Sequence, residues 1–530
     1  MQQGKKVSKI FGGVGFLALS SFLAKIIGAI YRIPLTNIIG VEGIGQYQLV
    51  FPLYALLIAV VCGGAPYAVS RIVAYQNTLG NHDKTKNFIK SCLIFLCIIS
   101  IIAFLFCVVI ASTLATAQSN IDLRLCYFTI APSIIFVTIS HLIKGWFIGN
   151  NNMLPNSLSN LFEQVIKLIL GLVLAKHFLQ YGLIYSVVGA LASITICELL
   201  ETIFLSIWYA ISTPKNKTKL PLEFAQNTKL FIQKSSTVTL SGLVFPTLAF
   251  ADSILILKLL QLYGVDSQLG TAQYGLLTGP ISSLVNLPVV ISLALSIAIV
   301  PKVSAYLAHL EIEHIKSKTA LCIQTSFLVC LPSFLGMFAL AKPILSVLYP
   351  TINSKLFPLA VFLLQLQSIG IVFLSQLEIF NAVLQSLEKS SRVLINVCIG
   401  GVVKIILELI LVPYIGIIGS VVSSVVFFGL SWLLNLNLYK KLVGNNSELF
   451  KNISKILVSG VIMALAVIAC VVFIKNKYLS LIIGLIVGIS IYFGLLILLK
   501  VIDKSTLQNF IFFKKIKSNN TPKNKEFEND

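Results

Sequence analysis

FLALSSFLAKIIGAIYRIPLTNIIGVEGIGQYQLVFPLY, the segment from Phe16 to Tyr54, decides the fold class of this 530-residue chain. It predicts one membrane span, a tight glycine-rich turn and the start of a second span. Two cations, Lys25 and Arg32, lie inside the first apolar run. Because they are seven residues apart, almost two helical turns, both side chains point to the same side of the helix.

A cation near the middle of a bilayer costs about 2.5–3.5 kcal/mol on insertion scales, so it normally faces a bundle interior or a watery cavity. We therefore expect the Lys25 and Arg32 face of span one to line a cavity for an anionic ligand. The alternative is that both side chains snorkel to the membrane surfaces. Arg32 lies near the end of its span and is able to do so, whereas Lys25 is deeper.

Composition excludes an ordinary soluble globule, because 57% of the residues are hydrophobic and 11% are charged. Apolar runs of membrane-spanning length recur from end to end, so the chain is an all-α polytopic membrane protein. The net charge of +21 collects in short loops and in the tail, which indicates cytoplasmic segments facing anionic lipid rather than a nucleic-acid partner. The ten cysteines have no metal-site spacing and are typical of small buried hydrophobic residues.

The apolar runs predict about fourteen spans: 11–38, 47–70, 88–115, 123–143, 156–179, 184–212, 235–260, 274–301, 319–341, 357–386, 393–412, 416–438, 454–474 and 478–500. An even number places both termini on one side. With a cytoplasmic N-terminus, 29 of the 40 lysines and arginines fall in inside segments and 6 in outside segments. This asymmetry fits the positive-inside rule and predicts a plasma-membrane protein with both termini in the cytoplasm.

The chain also repeats itself weakly. The segment from Gly40 to Pro52 is similar to the one from Tyr263 to Pro280, and the region around Asn160 and Lys167 aligns with Asn396 and Lys404. The ordered series of matches predicts two parallel six-helix lobes related by a pseudo-twofold axis along the membrane normal. The expected units are an N-lobe (1–212), a cytoplasmic linker (213–234), a C-lobe (235–440), two additional spans (441–502) and a basic cytoplasmic tail (503–530).

Charged residues within the spans are the candidate functional groups. Glu163 and Lys167 on span five are four residues apart, as are Lys404 and Glu408 on span eleven, so each pair can meet on one helix face. Each pair has an equally acceptable structural explanation, an ion pair that holds two helices together.

Asp252 on span seven is the acid that lies deepest by sequence position. It is a candidate partner for Lys25 or Arg32, or a ligand for a coupling cation, and a simple salt bridge between the lobes explains it as well. Glu198 and Glu201 on span six are a weaker signal, because their predicted positions are close to a membrane face.

No arrangement of residues suggests catalysis. The five histidines are scattered, without a nucleophile or metal partner at useful spacing, and the outside loops are too short to hold a donor and an acceptor. We expect a protein that is not an enzyme and has no cofactor or metal.

Three segments carry a family resemblance: Ser8 to Tyr75, Lys144 to Lys167 (KGWFIGNNNMLPNSLSNLFEQVIK) and Gln273 to Ser304 (QYGLLTGPISSLVNLPVVISLALSIAIVPKVS). They resemble polysaccharide exporters of the stage V sporulation protein B type. The resemblance places the chain among the multidrug/oligosaccharidyl-lipid/polysaccharide flippases, near the lipid II flippases of the MurJ type. It implies a fourteen-helix, two-lobed transporter that works by alternating access, with a groove for the lipid tail at spans thirteen and fourteen.

The cargo implied by the resemblance is a polyprenyl-pyrophosphate-linked sugar, a peptidoglycan precursor such as lipid II or a related lipid, moved from the inner to the outer leaflet. A pyrophosphate requires cations in a dry cavity. The candidate substrate-binding residues are Lys25, Arg32, Arg71, Asn160, Glu163 and Lys167, and the candidate coupling or gating residues are Asp252, Lys404 and Glu408. The expected partners are the cargo, membrane lipids and a coupling cation or the membrane potential, with the protein acting as a monomer.

Two other functions remain open at this point. A drug/cation antiporter of the same superfamily requires an acid-dominated cavity, whereas spans one and two carry only cations. A non-transport scaffold for envelope assembly predicts that Lys25 and Arg32 tolerate alanine while surface loops do not.

Overall fold

The computed structural model describes residues 2–213, 221, 223–444 and 447–501, with side chains described from residue 20 to 444 and from 452 onward within those ranges. Every regular element in this part of the chain is a helix, and the predicted all-α membrane class is confirmed. The predicted tail (503–530) and the middle of the predicted linker lie outside the described residues.

The first half of the chain forms nine helices and a short 3₁₀ turn after the sixth. They are α1 (Gln2–Cys62), α2 (Ala65–Thr78), α3 (His82–Ala117), α4 (Leu123–Ile130), α5 (Ser133–Gly149), α6 (Leu154–Phe178), the 3₁₀ turn (Leu179–Tyr181), α7 (Leu183–Ser212), α8 (Phe224–Gly242) and α9 (Val244–Leu262).

The second half begins with two helices joined by a π-helical segment. Its elements are α10 (Ser267–Leu276), the π segment (Leu277–Ile281), α11 (Ser282–Ala308), α12 (Ile312–Ala339), α13 (Ala341–Leu348), α14 (Phe357–Ser368), α15 (Gly370–Ser386), α16 (Ser390–Ile415), α17 (Ile417–Val443), α18 (Ser447–Phe473) and α19 (Lys477–Leu498).

Thirteen helical stretches of the described chain are long and apolar enough to cross a membrane. The first, Ser20–Thr78, has 59 residues. At 1.5 Å per residue it measures roughly 90 Å, about three times the thickness of a hydrocarbon core. It is therefore long enough for two crossings, and the total of fourteen spans and the pseudo-twofold axis stay predictions.

Gly40 interrupts α1 where the sequence predicts a turn. Its backbone (φ 70°, ψ 176°) is the one non-helical position within α1, so the predicted multi-residue turn is reduced to a single residue. This conformation is essentially restricted to glycine. A Cβ added at Gly40 would meet no atom within 4 Å, so the requirement for glycine is conformational rather than spatial.

Loops that are predicted to share the outer side contact one another. Gln261 Nε2 donates to Ser119 Oγ at 2.7 Å, and Ser267 Oγ donates to the Ser119 carbonyl at 3.0 Å. Next to the α1 break, Asn37 Nδ2 donates to the Leu348 carbonyl at 2.9 Å. These contacts place the break in α1 and the loops after α3, α9 and α13 at one end of the bundle.

Loops that are predicted to share the inner side also meet. Asn77 Nδ2 at the end of α2 donates to Asn150 Oδ1 after α5 at 3.0 Å, and Asn87 Nδ2 on α3 donates to the Pro221 carbonyl in the linker at 2.5 Å. These contacts agree with the predicted pairing of loops. That this end is cytoplasmic stays a prediction from the charge distribution.

The predicted linker and seventh span are divided differently in the structure. Helix α8 begins at Phe224, inside the predicted linker, and ends at Gly242, inside the predicted span 235–260. It packs on α2 and α3 with Thr228, Phe231 and Ser235 buried, and the crossing itself is made by α9. The sequence analysis missed this division because α8 is amphipathic and its apolar residues run directly into α9.

The N-terminal helices meet the C-terminal half most closely where α1 crosses α10. A Cβ on Gly275 would lie 2.0 Å from the Val41 carbonyl oxygen, and one on Gly45 would lie 2.1 Å from the Thr271 carbonyl oxygen. Only glycine permits this approach of two backbones. The crossing lies within a few residues of Gly40, at the outer end of the bundle.

Helices α18 and α19 pair with each other and pack on α12 and α13. Tyr492 Oη on α19 donates to the Leu328 carbonyl on α12 at 2.9 Å. The predicted additional spans therefore attach to the C-terminal half of the bundle.

Candidate functional site

The main cavity has a volume of about 480 Å³ and is lined by both halves of α1, by α6, the π segment, α11 and α15. Three cations lie on its wall: Lys25 and Arg32 from α1 and Lys167 from α6. One acid, Glu378 from α15, belongs to the same lining. The described cavity wall is therefore dominated by positive charge.

Arg32 reaches from α1 to the π segment. Its guanidinium NH1 donates to the Thr278 carbonyl and to Ser283 Oγ, each at 3.5 Å, and Gln48 Nε2 donates to the same carbonyl at 2.8 Å. Pro280 removes one backbone donor here, and π segments alter the regular pairing of a helix. The Thr278 carbonyl thereby becomes an acceptor for two α1 side chains.

Lys25 lies about two turns from Arg32 on the same face of α1, and its side chain is exposed in the cavity. It has no hydrogen bond or ion pair among the described residues. Glu378 is the charged group that acts on it electrostatically. The predicted cavity face of span one is therefore present as geometry, and its role in binding stays a prediction.

Lys167 connects the cavity to a group of buried charges in the N-terminal half. Lys144 on α5 forms an ion pair with Glu201 on α7, with Nζ and Oε1 2.8 Å apart. The predicted Glu163–Lys167 pair is not within 4 Å, and Glu163 Oε1 instead accepts from Gln164 Nε2 at 2.9 Å. The expectation that the two side chains meet as an ion pair is not met in this structure.

The second-half charges form a separate cluster. Lys404 Nζ on α16 donates to Asp252 Oδ2 on α9 and lies 3.3 Å from Glu408 Oε1, one turn further along α16. Ser420 and Ser423 each donate to that same Glu408 oxygen at 3.2 Å. Lys404 and Glu408 are 5% and 0% exposed, so the cluster is removed from lipid and solvent.

The partner of Asp252 is therefore Lys404, and neither Lys25 nor Arg32, the partners that sequence reasoning offered, is involved. The ammonium group occupies the place beside the carboxylate that a coupling cation would take. A second cavity of about 200 Å³, lined by Asp252, Lys404 and Gln367 among others, lies next to the cluster.

Comparison with known proteins gives the family. A model of the family described as "Polysaccharide biosynthesis protein" matches residues 10–306, more than half of the chain. The chain belongs to this family. A second model, MatE, matches residues 278–410.

Several curated proteins resemble this polysaccharide biosynthesis protein along most of its length. Stage V sporulation protein B of Bacillus subtilis is 28% identical over 440 residues, covering 80% of this chain and 82% of that protein. Lipid II flippase MurJ of Bacillus subtilis is 23% identical and covers 87% and 88%. The probable low-salt glycan biosynthesis flippase Agl15 of Haloferax volcanii is 23% identical over 42% of this chain and 46% of that protein.

Solved structures show the same fold. Lipid II flippase MurJ in an inward closed conformation aligns with a TM-score of 0.70 at 16% identity, over 94% of this chain and 99% of that one. A multidrug resistance MATE family transporter in an inward-facing conformation aligns with a TM-score of 0.64 at 16% identity, over 81% and 96%. The predicted resemblance is confirmed, and the relatives named for a function are flippases and transporters rather than enzymes.

Two of the predicted substrate residues of this family member lie away from the main cavity. Arg71 on α2 is exposed, with NH1 3.4 Å from Tyr67 Oη. Asn160 on α6 is half-buried and belongs to the lining of neither described cavity. Their assignment as substrate residues stays a prediction without support from this arrangement.

Sequence reasoning missed Glu378 and placed Glu198 and Glu201 too near a membrane face. Glu198 and Glu201 are 9% and 1% exposed. The signal for Glu378 was available: it is an isolated acid in the apolar segment GIVFLSQLEIFNAVLQS, where an intramembrane charge indicates an interior position. No group of three or more potential metal ligands occurs among the described side chains.

Proposed function

We propose that this protein is a flippase that moves a polyprenyl-pyrophosphate-linked oligosaccharide, lipid II or a related peptidoglycan precursor, from the inner to the outer leaflet. The observation that carries the proposal is the convergence of Lys25, Arg32 and Lys167 on one interior cavity with a single acid in its described lining. The named functions of the similar proteins support it.

The cavity chemistry suits a pyrophosphate followed by sugars. A planar guanidinium and two ammonium groups provide charge-assisted donors for phosphate oxygens, and these are stronger than neutral hydrogen bonds. Gln48, Ser283 and Asn286 line the same cavity and provide neutral donors and acceptors for sugar hydroxyls. An organic cation, by contrast, would face three positive charges.

In this mechanism two lobes rock against each other around the cavity. The Gly45–Gly275 crossing closes the outer end, and Arg32 strengthens that closure by donating to the π segment. A phosphate that draws Arg32 away from the Thr278 carbonyl weakens the outer contact and so favours opening toward the outer leaflet. The lipid tail runs in the membrane beside α18 and α19.

The Asp252–Lys404–Glu408 cluster is the coupling or gating element of the proposal. Because Lys404 already neutralises Asp252 and Glu408, a coupling cation at Asp252 has to displace the ammonium group. Coupling to the membrane potential needs no such displacement. The proposed protein is a plasma-membrane monomer with both termini in the cytoplasm.

The test is translocation of a fluorescent polyprenyl-pyrophosphate sugar in proteoliposomes, with wild type compared with Lys25→Ala and Arg32→Ala. We expect transport by wild type and a loss of about 30-fold or more in each variant, because removing one partner of a desolvated charged contact costs about 2–5 kcal/mol. Lys258→Ala is the matched control, since Lys258 is exposed on α9 and outside both cavities. Transport by both cavity variants at the wild-type rate would contradict the site.

A drug/cation antiporter is the second candidate, favoured by the MatE match over residues 278–410. It predicts efflux of an organic cation such as ethidium from vesicles, with no movement of the pyrophosphate lipid. The same vesicles serve for both measurements. If neither cargo moves, the scaffold role becomes the leading explanation.

A further inference from the structure

Glu378 is placed where it can replace the substrate. It lies on α15, in the C-terminal half, and lines the main cavity together with the α1 cations of the N-terminal half. Lys25 is the charged group that acts on it, and it acts on Lys25 in turn. The two side chains face each other across the cavity and are not within the 4 Å of an ion pair in this structure.

The two α1 cations are engaged differently. Arg32 donates to the C-terminal half through the Thr278 carbonyl and Ser283, at the end where the halves are in contact. Lys25, about two turns nearer the inner end, has no such partner among the described residues. Each cation therefore has an acceptor on the opposite half, and only the outer contact is made.

We propose that Glu378 is the internal counter-anion of Lys25, which pairs with it in the empty transporter and is displaced by the anionic head group of the cargo. The inference rests on the proposed function and deepens it, because it assigns a residue to the return of the empty carrier. When the inner end closes without cargo, Lys25 would lose water and remain unpaired, which is costly for a buried charge. The Glu378 carboxylate removes that cost.

The same competition helps release. A phosphate bound to Lys25 in the outward-open state must compete with a carboxylate that is tethered nearby, so Glu378 weakens binding and speeds turnover. Removing the negative charge has two opposite effects: the head group binds more tightly, and transport slows because neither release nor the empty return is assisted. A residue with a merely structural role would not produce this combination.

Binding of farnesyl pyrophosphate to purified protein tests the inference directly. Glu378→Gln keeps the shape of the side chain and should lower the Kd about fivefold, since a nearby negative charge is lost in a medium of intermediate dielectric. The transport rate of the pyrophosphate-linked sugar should fall at least threefold. Glu378→Asp, which keeps the charge, should stay near wild type in both measurements.

The cycle of Lys25→Gln, Glu378→Gln and the double variant isolates the pair. In the Lys25→Gln background, Glu378→Gln should change the farnesyl pyrophosphate Kd by less than twofold. Glu388→Gln, at the turn that follows α15, is the control and should match wild type.

The two measurements separate the inference from the proposed function. If Glu378→Gln leaves the Kd unchanged, or tightens binding equally without Lys25, the counter-anion is overturned even when wild type transports the sugar lipid. If the Kd responds as expected and wild type moves no sugar lipid, the competition is supported and the proposed cargo is wrong.

Discussion

Lysines on membrane-spanning helices occur here in two opposite settings. Lys25 lies on a cavity of about 480 Å³ with a carboxylate that faces it at a distance, whereas Lys404 is enclosed, 5% exposed, between Asp252 and Glu408. Both satisfy the rule that an intramembrane charge faces the interior. The difference shows that an interior position alone does not identify a binding site: the free charge is available to a ligand, and the neutralised one is not.

The largest expected effect removes the enclosed lysine. Lys404→Met leaves two buried carboxylates without a cation and should lower the free energy of unfolding by about 3–5 kcal/mol. Thermal unfolding of the purified protein in detergent measures it. Lys25→Met, on the open cavity, should change stability by less than about 1 kcal/mol.

A triple variant sharpens this test. With Asp252→Asn and Glu408→Gln added, Lys404→Met should regain most of the lost stability, because no buried charge remains unpaired. A Lys404→Met protein as stable as wild type would mean that water or another cation already reaches the cluster.

The next effect concerns the contact between the halves near the cavity. Gly275→Ala places a Cβ 2.0 Å from the Val41 carbonyl oxygen and should cost about 1–3 kcal/mol of stability and slow transport, because the outer end no longer closes. Unfolding and transport are measured on the same preparation.

Gly270→Ala is the matched control on the same helix. Its added Cβ would meet Leu257 at 3.5 Å, an ordinary contact. Equal behaviour of the two alanine variants would show that the close crossing is not needed for the transport cycle.

The smallest effect is a difference in salt sensitivity. Raising ionic strength from about 0.05 to 0.5 M shortens the Debye length from about 14 to 4 Å. We expect the Kd of farnesyl pyrophosphate at the open Lys25 site to rise about threefold. The stability difference between wild type and Lys404→Met should not change, because the enclosed cluster is not screened; a parallel loss in both would contradict the contrast.

Much of the fold could be predicted because membrane spans are local features. An apolar run of sufficient length must be helical in lipid, where every backbone polar group has to be paired within the segment. The exceptions follow the same logic. Helix α8 was partly assigned to a linker and partly to a span because its amphipathic face is buried against α2 and α3, which no local pattern shows.

The candidate site was predicted less completely. The positions of Lys25, Arg32 and Lys167 on one cavity followed from charge and helical spacing, and the Lys404–Glu408 contact followed from their four-residue separation. Glu163 and Lys167 have the same separation and do not pair. Spacing brings two side chains to one face, and neighbouring helices then decide whether they meet.

The sequence by itself determined that this chain is an all-helical membrane protein and which charges its spans carry, because both depend on residues that are local in the chain. Only the tertiary structure decided which of those charges are neutralised. Asp252 and Lys404 are 152 residues apart, and Arg32 and Thr278 are 246 apart. A charge is paired or left free by the helices packed around it, and that packing decided which lysine is available to a ligand.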